Sequence, residues 1–172
     1  SNLHPNSLVH PSLHYPALVE LVESDVTDTL IECLANNVVE VVDYVLNDIP
    51  PLVSQTSSRT CFLEFLKFAN DVIRSAHVTT PVILVSIVYV NRVKPRMQIA
   101  LEQWAYERVI LGALVVAQKY LNDAAMKNVH WALCTRIFGK GDVGVIEREF
   151  LAVLDFELSI SEADLLAQHS VL

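Results

Sequence analysis

The chain has 172 residues, of which 52% are apolar, and a net charge of −8. That length is enough for one domain with its own core and too short for a second domain of equal size. Residues 1–60 carry eight acids against Arg59 alone, while residues 61–172 are nearly balanced, so no basic footprint exists to replace phosphate counterions and nucleic-acid binding is not expected.

Residues 1–24 alternate leucine with polar residues around Pro5, Pro11 and Pro16, the pattern of an extended N-terminal arm with a short helical turn near Ala17 to Val22. Residues 25–49 repeat apolar side chains at intervals of three and four (Leu30, Ile31, Leu34, Val38, Val41, Val42, Val45), an amphipathic flanking helix with Asp28, Glu32, Glu40 and Asp43 toward water. Pro50 and Pro51 end it, because proline lacks an amide donor and restricts the residue before it. Residues 50–60 read as a linker.

A clean stripe from Phe62 to Ala76 predicts a helix over about 61–76. Thr80 and Pro81 signal the start of the next, with the threonine oxygen as cap and the proline in the first turn. The run PVILVSIVYVNRV is rich in β-branched residues and would also suit a buried strand. It has no second strand to pair with, so a helix is expected. Glu102 to Leu121 is apolar on every side from Val109 to Ala117, which marks a helix enclosed by others. Asn128 is expected to cap a helix from Val129 to Phe138, ended by Gly139 and Gly141 in left-handed conformation. Asp142 opens a further helix facing the core through Ile146, Phe150, Val153 and Leu154. A short C-terminal helix follows Ser161 and Glu162, within residues 159–172.

Cys33, Cys61 and Cys134 are far apart and odd in number, which suits small buried hydrophobes in a reducing compartment, the nucleus or cytoplasm. The six histidines form no metal-ligand grouping, and no metal or cofactor is expected. The run Pro81 to Val90 falls well short of the roughly 20 apolar residues that span a bilayer, so no membrane segment is expected. The N-terminus lacks both a signal-peptide pattern and an initiator methionine, and the chain is read as a piece of a longer protein. There is no Gly-rich phosphate loop, no G-x-S-x-G and no nucleophile with a base, so no catalytic residues are expected; KGDVG from Lys140 is a turn before a helix. The cluster Arg92, Lys94, Arg96 reads as a solvated loop, and Trp104 and Trp131 as core anchors.

The string RVILGALVVAQKY from Arg108 to Tyr120, followed by Asn122 and Asp123, resembles the third helix of the cyclin box, with Gln118 in place of the usual serine. NVHWA (128–132) and IEREFLAVLDFEL (146–158) resemble helices four and five of the fungal Pcl class, which includes the phosphate-pathway cyclins. The resemblance implies an all-α fold, with a single five-helix cyclin box over 61–158. It also implies a regulatory subunit that binds and activates a cyclin-dependent protein kinase. In cyclins the lysine ending helix three and the glutamate beginning helix five contact backbone groups near the kinase C-helix, and they fall here on Lys119 and Glu147. Phe62, Phe65, Leu66 and Asp123 stand as possible further interface residues. The Met-Arg-Ala-Ile-Leu docking patch is absent, so Arg-x-Leu substrates are not carried over. Arg108 matches a structural cyclin arginine. A cyclin-fold adaptor binding another protein without activating a kinase is the alternative reading.

Overall fold

The computed structural model describes residues 15–46 and 55–169. The expected arm over 1–14, the end of the first amphipathic helix at 47–49, the linker start at 50–54 and residues 170–172 lie outside them. Within the described residues all regular structure is helical: α1 (Pro16–Glu23), α2 (Asp28–Leu46), α3 (Gln55–Ser75), α4 (Thr80–Val93), α5 (Ala105–Leu121), α6 (Asn128–Thr135), α7 (Lys140–Val153) and α8 (Glu162–His169).

The enclosed helix is α5, as its all-round apolar sequence requires. Every residue from Val109 to Ala117 is buried, and α2, α3, α4 and α7 pack around it. Its neighbour α4 is buried without a break from Val82 to Val90, which resolves the strand-like composition in favour of helix. The two hydroxyls inside that stretch are both paired despite burial: Ser86 donates to the Val82 carbonyl at 2.7 Å and Tyr89 to the Leu158 carbonyl at 2.8 Å. α2 buries Leu30, Ile31, Leu34, Ala35, Val38, Val41 and Val42 against this pair and α3, so the acidic N-terminal helix is part of the common core.

Several expected boundaries shift for identifiable reasons. α3 starts at Gln55, so the second half of the 50–60 linker is helical; 55–60 holds no proline or glycine to prevent it. Thr80 does not cap α4. Its hydroxyl donates to the Ser24 carbonyl at 2.7 Å, tying α4 to the end of α1, and Thr79 takes the cap position. α5 begins at Ala105 rather than Glu102, because Trp104 adopts a left-handed conformation, φ 58°, and ends the preceding turn. Trp104 is therefore 47% exposed and no core anchor, whereas Trp131 is fully buried as expected. Arg108 secures that turn by donating to the Leu101 and Trp104 carbonyls.

Likewise α6 ends at Thr135 with Arg136 left-handed, φ 61°, and Gly139 instead stands in the cap position of α7, where the Asp142 carboxylate accepts its N–H at 2.8 Å. α8 opens with a reciprocal capping box: Ser161 Oγ accepts from the Asp164 N–H, and Asp164 accepts from the Ser161 N–H. Cys33 and Cys134 are half-buried, but Cys61 is exposed, contrary to the buried role expected of it. Arg92, Lys94 and Arg96 are not free loop cations; they pair with Asp164, Glu40, and both Asp155 and Glu157.

A candidate partner-binding site where three helices meet

α5 and α7 run in opposite senses and touch at a place that only glycine permits. A Cβ on Gly112 would lie 2.9 Å from the Phe150 Cβ, closer than real contacts allow, so Gly112 sets how near α7 can come. That approach brings the C-terminal end of α5 against the middle of α7, and Lys119 meets Glu147. The ammonium lies 2.7 Å from Glu147 Oε1 and 2.8 Å from Oε2. Lys119 sits in the last turn of α5, where the helix dipole favours a cation. Its side chain is 36% exposed and that of Glu147 16%, so both reach the surface while Glu147 is largely held by protein.

Asn128, expected as a helix cap, does something else. It is the first residue inside α6, and its amide joins the pair. Its Oδ1 accepts from Lys119 at 3.0 Å and its Nδ2 donates to Glu147 Oε2 at 3.0 Å. Gln118, the departure from the usual serine, accepts the Met126 N–H at 3.3 Å and so fastens the loop between α5 and α6. The three polar groups thus come from three helices.

Toward the N-terminal end of α5, away from Lys119, a mainly apolar groove of about 460 Å³ lies between α5, α7 and the 97–101 turn, lined by Met97, Ile99, Leu101, Val109, Phe150 and Val153 together with Arg108 and Glu149. Beyond α7 the chain turns with Asp155 and Phe156 both left-handed, and Phe156 is left 67% exposed.

The other sequence candidates lie elsewhere. Phe65 is 1% exposed and its ring lies 5.3 Å from that of Tyr106; a side chain so enclosed belongs to the core and presents nothing to a partner, which corrects its assignment as interface. Phe62 and Leu66 are half-buried on α3, away from the Lys119–Glu147 pair, and Leu66 lines a separate cleft with Asp28 and Lys67. Asp123 is exposed just past α5, in a small cleft with His77 and Gln118. Asn128, the groove and Phe156 were missed. No local pattern links an asparagine to a lysine nine residues before it and a glutamate nineteen after.

Glu107 is half-buried in the first turn of α5, and burial raises its carboxyl above the usual range against smaller lowering effects from its own backbone N–H and Arg108. Burial, and then Glu107, Glu64 and Asp43, also raise the Cys61 thiol, which keeps it protonated and unreactive. Among the described residues no cluster of three potential metal ligands occurs, and no helix is long and apolar enough to cross a membrane.

An all-helical bundle around one enclosed helix, with a lysine–glutamate pair at the junction of its third-last, second-last and central helices, agrees with what family comparison finds. Residues 29–159 match the model of the cyclin N-terminal domain, and the chain belongs to the cyclin family. Within that family its likeness is to the fungal Pcl class. It is 30% identical over 154 residues to PHO85 cyclin-1 of Saccharomyces cerevisiae, covering 87% of this chain and 55% of that protein. With PHO85 cyclin-9 of the same yeast the identity is 29% over 156 residues, 88% of this chain and 49% of the relative. With PHO85 cyclin-2 it is 35% over 104 residues, 58% and 33%. The chain therefore spans about half the length of the first two and a third of the last.

Proposed function

We propose that this chain binds a cyclin-dependent protein kinase of the kind named in its yeast relatives, PHO85, and activates it as a regulatory subunit without catalytic activity of its own. The observation that carries the reading is the Lys119–Glu147 pair, held at the surface by three helices, with an apolar groove toward the N-terminal end of α5. A cation can hold main-chain carbonyls and a carboxylate can hold main-chain N–H groups, which fixes a partner element without depending on its side chains. The groove supplies the apolar area that makes a helix-sized contact stable. Phosphoryl transfer by a kinase needs its lysine to C-helix glutamate pair formed, so a subunit that holds the C-helix shifts the kinase toward its active state.

In this reading α3–α7 make up the five-helix box, about residues 61–158, with α2 in front and α8 behind. The protein works in the nucleus or cytoplasm, and a kinase substrate or inhibitor docks on the complex. Neither nucleic acid nor membrane is a partner; the pairing of Arg92, Lys94 and Arg96 with carboxylates supports the former. The test is titration of the chain into purified yeast PHO85 kinase with histone as substrate. Saturable activation supports the proposal. Binding without activation favours the adaptor reading.

A further inference from the structure

Asn128 gives up the role its position offers. A polar residue at the start of a helix ordinarily caps free amides, yet the cap position here is Lys127, which makes no side-chain cap bond, and Asn128 stands one residue further in. Both ends of its amide are spent on the Lys119–Glu147 pair instead. No other residue of this size does both jobs, because the lysine needs an acceptor and the carboxylate a donor. Aspartate would set a second carboxylate against Glu147, and serine is too short to bridge two helices.

The valences explain what this arrangement achieves. Lys119 has three N–H donors. One goes to Asn128 and the other two reach the two Glu147 oxygens, so the ammonium is fully satisfied within the chain. Glu147 accepts from Lys119 and Asn128 and keeps unshared lone pairs at its exposed edge. Without Asn128 the two flexible side chains would still attract one another but would lose their tie to α6.

We infer that Asn128 is a positioning residue for kinase recognition, fixing Lys119 and Glu147 against one another so that the ammonium and the carboxylate edge are held in one arrangement at the surface. This rests on the reading of Lys119 and Glu147 as the kinase-binding pair.

The experiment measures affinity for purified yeast PHO85 kinase, together with melting midpoints, for the wild type, Asn128→Ala, Asn128→Asp, Glu147→Ala and the Asn128→Ala, Glu147→Ala double variant. Asn128→Ala should weaken binding about tenfold, within the range seen for groups coupled in one hydrogen-bond network. Asn128→Asp should weaken it at least as much despite its matching size. In the Glu147→Ala background Asn128→Ala should cost less than in the wild type, since of its two contacts only that with Lys119 is left to lose. The same loss in both backgrounds, following the melting midpoint, would show a merely structural residue and overturn the inference. A weak Glu147→Ala with an unaffected Asn128→Ala would overturn the inference alone. Unchanged affinity in Glu147→Ala, or no binding by the wild type, would remove the kinase-pair reading and the positioning role with it.

Discussion

The contact between Gly112 and Phe150 makes the sharpest stability prediction, because the same substitution at a second glycine serves as its control. In Gly112→Ala the new methyl would lie 2.9 Å from both Cβ and Cδ2 of Phe150. The Cβ is fixed to the α7 backbone, so rotation of the ring cannot relieve the overlap; α7 itself must shift by several tenths of an ångström. Overpacking of this kind costs about 1–3 kcal/mol, and the helix propensity of alanine returns about 1 kcal/mol. The expected net loss is about 1 kcal/mol. Gly141→Ala meets nothing within 4 Å and gains propensity alone, up to about 1 kcal/mol. The two variants should differ by about 2 kcal/mol, or roughly 1 M in urea midpoint at a slope of about 2 kcal/mol/M. Urea unfolding followed by far-ultraviolet circular dichroism reads the difference directly. Equal midpoints, or a Gly112→Ala more stable than the wild type, would refute the close approach of α5 and α7 on which the placement of Lys119 and Glu147 depends.

Other outcomes follow from single interactions. Trp131 is fully buried, and Trp131→Ala should cost about 3–5 kcal/mol in chemical denaturation. Burial raises the Glu107 carboxyl, so the folded state holds its proton more tightly than the unfolded one; the associated stability is present below about pH 4.5 and lost as pH rises through the folded value. Glu107→Gln should accordingly raise the melting midpoint at pH 7 and lose that advantage near pH 4. Arg92 donates to the Glu157 carbonyl at 2.7 Å and to Asp164 at 3.2 Å, latching the C-terminal segment onto α4. Arg92→Ala should speed amide exchange in α8 well before it affects α5.

How much of this was legible in the sequence depended on whether a residue's role is local. The enclosure of α5 could be read because no side of Val109–Ala117 is polar, and α8 from Ser161 and Glu162 at its start, although Asp164 turns out to be the partner of Ser161 in the cap. Lys119 and Glu147 were found through their order in a family pattern, and the fold brings them together across 28 residues. Phe65 and Leu66 are adjacent on one apolar stripe, and nothing in the spacing says that Tyr106 on another helix encloses the first and not the second. Thr80 and Asn128 both looked like caps. Their partners, Ser24 in one case and Lys119 with Glu147 in the other, are distant in sequence, and a tertiary partner displaced the local one. Trp104 reads as a core anchor in the sequence, but its left-handed backbone is imposed by the turn that Arg108 holds.

The central claim concerns the polarity of one pair, and a charge swap isolates it. The Lys119→Glu, Glu147→Lys double variant preserves an ion pair within the chain while presenting an anion where a carbonyl is to be bound and a cation where an N–H is. Its affinity for purified yeast PHO85 kinase, measured beside its melting midpoint, is the direct test. The expected result is a midpoint within a few degrees of the wild type and binding reduced by about 30-fold or more, the loss typical of a misplaced charge–hydrogen-bond contact in an interface. A swapped variant that melts normally and binds the kinase as tightly as the wild type would contradict it.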